Sequence, residues 1–344
     1  MSQAKKVVIL PYDLSMTLPM QRMVLMIGSG LHKQVLQTQM SPLSSWTVLL
    51  DAVAEMAKIK IPNEISSPTI RWEAMVTAIV DQGRTSSIWR KRSKGISYPS
   101  QLNASQGEKK LREFACKIIT DSACVVQCTY DRDPIVNLIR ARIKQGGIDV
   151  IDFNFDWLLL GGKPKFKGSS KGKPTPESKK LRGRIGDQRL IRDFWQEGED
   201  GSARIWKPHG HVGRPTSLRL GLRDYGFQPV LYQQAFAEYK GSQRLQKVKK
   251  ASFSSRAIIK SLDTPKSWIE PFMDLPVRIV GLGISPEEIG LRWLFVQRKR
   301  NWATKKNNQS SSIKHFFNSK DPSIYGVNGC PSESWNIAWE LAVR

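Results

Sequence analysis

The sequence predicts an α/β protein built on an open, mainly parallel sheet. Three observations carry that expectation. Short apolar runs stop abruptly at glycine or Asn/Asp turns, segments of helical periodicity alternate with those runs, and the stops collect polar or glycine residues. In open sheets of this kind ligands sit beyond the carboxyl ends of the strands, near a topological switch point. The four stops, at 28–30, 154–156, 209–211 and 281–285, are therefore expected to converge on one place.

Taken in order, residues 22–27 (RMVLMI) read as a buried strand that ends at Gly28-Ser29-Gly30. Trp46 to Lys58 has apolar residues at 46, 49, 50, 53 and 57, the spacing of one helix face, with Ser44 or Ser45 as its N-cap. Segments 67–91 and 108–120 also read as helices, separated by a loop. The run SACVVQCTY, 122–130, reads as a strand, and DPIVNLIRARIKQ as a helix closed by Gly146-Gly147. IDVIDFNFDWLLL, 148–160, is a long apolar strand whose end carries Asn154 and Asp156. RIWKPHGHV regains strand character, and an amphipathic segment covers 229–240. Residues 277–280 form a last strand before the turn Gly281-Leu282-Gly283. Pro286, Glu287 and Glu288 then suit the first turn of a helix and Arg298-Lys299-Arg300 its last. The tail, 303–344, is polar and finishes in a short helix, SWNIAWELAVR.

Composition narrows the function classes. With 344 residues, 40% apolar residues and eleven tryptophans, the chain can bury a large core and is not disordered. No apolar run approaches the ~18–20 residues of a membrane helix. The apolar patch near the start is interrupted by Pro11, Tyr12 and Asp13 and lacks a cleavage site, so the chain reads as mature and cytoplasmic. Four cysteines (Cys116, Cys124, Cys128, Cys330) without paired C-x-x-C spacing read as buried free thiols rather than a zinc ribbon or disulfides. The charge is extreme: 54 basic against 30 acidic residues give +24. Such a balance favours an anionic partner, or serves solubility alone. It is densest from Lys163 to Arg184, where Lys163, Lys165, Lys167, Lys171, Lys173, Lys179, Lys180, Arg182 and Arg184 stand against one acid in a Gly/Pro/Ser-rich loop. A second basic stretch runs from 244 to 260.

Each motif admits two readings. Gly28-Ser29-Gly30 is either a phosphate-cradling turn or merely a tight one. Asn154 and Asp156 either bind a ligand or form an Asx-turn or helix cap. His209-Gly210-His211 lacks the further Cys or carboxylate ligands that a zinc site needs. Imidazole titrates near neutrality, and Gly210 allows close approach, so His209 is the candidate general base, with a packed structural histidine as its alternative and His211 as a neighbour. His32 and His315 read as surface or packing residues.

Together these segments resemble the sirtuin-like family of NAD-consuming domains, in its bacterial branch associated with anti-phage defence and toxins. VLMIGSGLH with PLSSWTVLLDAV resembles the first strand, glycine turn and following helix of that family. IDFNFDWLL resembles its second strand end, KPHGHV with LRDYG its Lys-x-His-Gly segment, and RIVGLGISPEEIGLRWLFVQRKR its closing strand and helix. The likeness spans about residues 22–300. It implies a Rossmann-like NAD-binding domain, with helices on both faces of the sheet and a helical insertion at about 60–145, followed by a C-terminal extension, 301–344. By the same resemblance Gly28, Ser29 and Gly30 meet the pyrophosphate, and Asn154 and His209 the nicotinamide ribose. Asp156 lies near the nicotinamide amide, and Gly281, Gly283 and Ser285 line the adenosine end. Three positions depart from the family pattern: His32 and Asp152 stand where serine and threonine are usual, and Pro208 where leucine is. The deacylase branch carries a four-cysteine zinc module that this chain lacks.

Two functions follow as expectations. The first is an NAD glycohydrolase, a toxin or immune effector consuming NAD without a metal, restrained by a partner protein or by homo-oligomerisation. The second is a weakly catalytic or non-catalytic nucleotide-binding module that holds nucleic acid or a partner through the basic loops, with salt-sensitive affinity. No membrane partner is expected, since the basic stretches lack an apolar opposite face.

Overall fold

The computed structural model describes residues 22–38, 40–62, 64–85, 104–161, 189–192, 194–197, 202–252, 265–284, 287–303 and 313–316. These form an α/β protein on one six-stranded sheet. The strands are β1 (Met23–Ile27), β2 (Ile148–Asp152), β3 (Phe194–Glu197), β4 (Ala203–Trp206), β5 (Val277–Val280) and β6 (Ile313–Phe316). Their spatial order is β3-β4-β2-β1-β5-β6, and every pairing is parallel except β3 with β4. From β1 the chain moves outward through β2 and β4, then returns to place β5 on the other side of β1. The switch point of the sheet therefore lies between β1 and β5.

Both faces of the sheet are covered, because successive strand residues point to opposite sides. Leu25 and Ile27 of β1 join one apolar cluster, whereas Val24 and Met26 join the other. The first cluster is covered by α1 (Gly30–Leu36), α2 (Trp46–Ala57), α3 (Pro68–Thr85), α4 (Ala104–Arg132) and α5 (Pro134–Gln145). The second is covered by α7 (Leu222–Ser252), α8 (Ile269–Asp274) and α9 (Ile289–Ala303), the four-residue α6 (Arg189–Arg192) lying on the same side. Several elements follow local rules closely. Ser45 caps α2, its Oγ accepting from Val48 N at 3.4 Å, and Leu49, Leu50 and Val53 are buried at the predicted spacing. Burying each such side chain contributes about 1.5–3 kcal/mol. Asp133 caps α5 through Ile135 N and Val136 N, Pro134 occupies its first turn, and Gly146 ends it with φ 83°.

Other elements differ from the sequence reading. Residues 122–130 are not a strand but the continuation of α4. The apolar phase of Leu111, Ala115, Ile118 and Ile119 runs on through Ala123, Val126 and Tyr130, which keeps the helix intact. As a result Cys124 and Cys128 face solvent, and of the described cysteines only Cys116 is buried. Burial pushes the Cys116 thiol up to about 12. The strand expected over 148–160 stops at Asp152, and Leu158–Leu160 form a 3-10 turn. The amphipathic segment 229–240 is the middle of the longer α7. In α9 the guanidinium of Arg298 does not serve the helix end. It is buried, donates to the carbonyls of Phe272 and Leu275, and is drawn down to about 10 by burial. Residues 313–316, inside the polar tail, add β6 to the sheet parallel to β5. The basic loop 163–184, Cys330 and the segment SWNIAWELAVR lie outside the described residues. Among the described residues no helix is long and apolar enough to cross a membrane.

The turns after β1 and β5 touch mainly through their backbones. Gly28 N donates to Val280 O at 3.0 Å and Gly30 N to Gly281 O at 2.7 Å. A Cβ on Gly30 would lie 2.6 Å from Gly281 Cα, and one on Gly281, whose φ is 62°, would run into Leu31 N and Gly30. Gly283, two residues on, has open space where a Cβ would stand. Gly281→Ala is accordingly expected to lower stability to urea by at least about 2 kcal/mol, and Gly283→Ala to change it by less than about 0.5 kcal/mol. Equal midpoints for the two variants would contradict the packing described.

Candidate functional site

A cleft opens at the carboxyl ends of the strands. Gly28 and Ser29 after β1, Asn154 and Asp156 after β2, His209 after β4 and Gly283 after β5 all line it. Four of the predicted stops thus meet, at the switch point where ligands of open α/β sheets bind. Gly30 and Gly281 are not in its lining but pack behind it, and their amide and carbonyl are spent on each other. Ser285 and Lys163, Lys165, Lys167, Lys171, Lys173, Lys179, Lys180, Arg182 and Arg184 lie outside the described residues.

The loop carrying Asn154 and Asp156 is shaped by Lys207. This lysine, 1% exposed, donates to Asp152 Oδ2 at 2.6 Å, Asn154 O at 2.9 Å and Asp156 O at 2.5 Å. Its ammonium also lies 4.8 Å from the centre of the Trp157 ring. Three acceptors and an aromatic face satisfy a cation that burial would otherwise penalise heavily. The same contacts turn the chain out of β2 after Asp152, which explains the early end of that strand. They also pair Asp152 with Lys207, although burial still raises the Asp152 carboxyl above its ordinary value, and Asp152 is not in the lining of the cleft. Asn154 is anchored in turn to the β1 turn, Nδ2 donating to Gly28 O at 3.3 Å.

Asp156 is held by a second chain. Its Oδ2 lies 2.9 Å from His32 Nε2, and His32 Nδ1 is hydrogen-bonded to the Tyr130 hydroxyl. Its Oδ1 accepts from Leu158 N at 2.9 Å, so the Asx-turn expected as an alternative is present as well. Burial opposes its ionisation, yet His32, Lys207 and the Leu158 amide together hold its carboxyl well below the ordinary 3.8. Burial, reinforced by Asp156 and Asp152, pushes the Tyr130 phenol far up, so that it stays protonated. His32 is therefore neither a surface residue nor simple packing. It links α1 and α4 to the cleft.

His209 is buried with its ring edge-on to Phe153 at 4.9 Å, and its Nε2 lies 3.2 Å from Glu288 Oε1. His211 packs between Trp157 and Trp195 at 5.1 and 5.0 Å and does not line the cleft, which separates the two histidines by role. Gly210, φ 88°, allows the bend between them, where Ser217 leaves no room for a Cβ. In the segment LRDYG, Asp224 Oδ2 accepts from Leu220 N, Gly221 N and Arg112, while Tyr225 reaches the cleft and tilts against Trp46 at 5.3 Å. Pro42, Leu43, Trp46 and Leu49, with Ile119 of α4, complete an apolar wall.

Sequence reasoning missed Lys207, His32, Tyr225 and Glu288 as parts of the site. Lys207 and Tyr225 lay within quoted motifs and could have been read there; His32 and Glu288 acquire their partners only through long-range packing. Among the described residues no group of three or more His, Cys, Asp or Glu has the arrangement of a metal site. No protein-family model, curated protein or solved structure matches the chain.

Two predictions follow from the buried charges. Lys207→Met leaves Asp152 unpaired in the interior and is expected to cost about 3–5 kcal/mol in urea unfolding; a loss below about 1 kcal/mol would show that the tether does not organise the loop. For Asp156, a carboxyl depressed in the fold contributes stability that is complete above its unfolded pKa and lost as pH falls. The destabilisation caused by His32→Ala should therefore shrink as pH falls from about 5 toward about 2. A difference independent of pH would remove the His32–Asp156 ion pair as its source.

Proposed function

We propose that the protein is an NAD glycohydrolase, which releases nicotinamide and leaves ADP-ribose. The observation that carries this reading is the meeting of His209 and Asn154, from the ends of β4 and β2, in one cleft with the glycine turn of β1 and Gly283 of β5. The strand order supports it. With the antiparallel β3 set aside, the parallel strands in chain order run 3-2-1-4-5, the order of Rossmann-like dinucleotide-binding sheets. The resemblance of the motifs to sirtuin-like domains points the same way.

The chemistry suits these side chains. Breaking the bond between ribose C1 and the nicotinamide nitrogen passes through an oxocarbenium-like ion, as in sugar hydrolysis, and nicotinamide departs neutral. Asn154 orients a water or ribose hydroxyl. Water attacks C1, and His209 takes the proton that the water loses. Gly28 and Ser29 receive the pyrophosphate, and the apolar wall of Leu43, Trp46 and Ile119 keeps bulk water from the reacting carbon. The part played in defence or as a toxin, NAD depletion under the restraint of a partner or an oligomer, follows from the resemblance alone.

Incubating the purified chain with NAD and following nicotinamide tests the assignment. His209→Ala and Asn154→Ala should each reduce release by about 10²–10⁴-fold while circular dichroism stays unchanged. Turnover retained in both variants would sink it.

A further inference from the structure

Glu288 lines the cleft, is 6% exposed and stands where α9 begins, its carbonyl accepting from Arg292 N at 2.9 Å. Oε1 lies 3.2 Å from His209 Nε2, a close charge contact that is not an aligned hydrogen bond. Oε2 is buried and has no hydrogen-bond partner among the described residues. A buried carboxylate oxygen without a donor is costly and persists where a donor arrives from elsewhere. The phenols of Tyr225 and Tyr232 lie in its field, each pushed well up by burial and then by this carboxylate, yet neither donates to it. The Tyr232 hydroxyl is itself buried without a partner. One oxygen of Glu288 is thus left open beside the candidate base.

We propose that Glu288 is a substrate-contacting residue of this cleft: Oε1 stands against the imidazole of His209, and Oε2 accepts a hydrogen bond from the 2-hydroxyl of the ribose bound next to it. The inference rests on the reading of the cleft as a glycohydrolase site and adds to it the group that selects a ribosyl substrate. Two features favour a ribose hydroxyl as the missing donor. It is the donor class that a nucleotide presents at the carbon His209 would serve. Hydrogen bonds to the 2-hydroxyl also strengthen as positive charge grows on the sugar, and an anion beside the ring stabilises that charge directly. The carboxylate keeps His209 in one orientation with Nδ1 left for the reaction, as a buried carboxylate does for other catalytic histidines.

The test is a binding cycle on the full chain, read by calorimetry, with ADP-ribose, ADP-ribose lacking the 2-hydroxyl of its terminal ribose, and ADP. Wild type should bind ADP-ribose about 10-fold more tightly than the deoxy analogue. Glu288→Gln should abolish most of that difference while leaving ADP within about 2-fold. The same substitution should lower kcat for nicotinamide release by about 100-fold and raise KM by no more than about 10-fold, the loss seen with ADP-ribose. Equal affinity of wild type for ADP-ribose and its deoxy analogue would overturn the proposal, and needs no variant to fold. So would a parallel loss of ADP binding in Glu288→Gln. If wild type binds neither NAD nor ADP-ribose, the glycohydrolase reading itself falls; if it binds both and Glu288→Gln is indistinguishable from it, only the role of Glu288 does.

Discussion

A single buried ammonium group organises the centre of this molecule. Lys207 reaches from the end of β4 to the end of β2 and binds one carboxylate and two carbonyls of the segment 152–156. A lysine placed there must find anionic or carbonyl oxygen at every direction it faces, because water cannot follow it. The segment meets that demand by leaving the sheet and wrapping around the cation. Asn154 and Asp156 are presented to the cleft as a consequence. The position of two polar side chains is thus fixed by the solvation of a third that never touches the cleft itself.

Two buried polar groups near the strand ends are internally matched. Asp152 is answered by Lys207, and His32 by Asp156 on one nitrogen and Tyr130 on the other. Each would be unfavourable alone and is balanced by its partner. Tyr130 stands near the end of α4, so this wiring extends from the cleft into the helical layer on that face of the sheet.

Much of the scaffold was legible because its signals are local. A serine before an amphipathic run, Asp-Pro at a helix start and Gly-Gly at its end act over a few residues, and α2 and α5 follow them. Strands β1 and β5 and the convergence of their turns were legible for the same reason. Failures came where distant partners decide. Phe153 to Leu160 are apolar enough for a strand, but Lys207, 55 residues beyond Asp152, ends it. Residues 122–130 are too short and β-branched to be classified by themselves, and only the helical phase inherited from Leu111 to Ile119 settles them. Glu288 looked like a helix opener because that is its backbone role; its side chain has another, which only the packing of α9 against the strand ends displays. β6 had no signal of its own, since an edge strand borrows its hydrogen bonds from β5.

The bare contact between the two glycine turns has a mechanical meaning. Because backbone rests on backbone at Gly30 and Gly281, that part of the cleft floor has no rotamer to change and little room for small adjustments. Opening, closing or any control imposed from outside must then act on the roof, through the wall of Pro42, Leu43, Trp46 and Leu49 and the long helix that supplies Ile119. Among the described residues, α2 and α4 are in that sense the adjustable side of the vice.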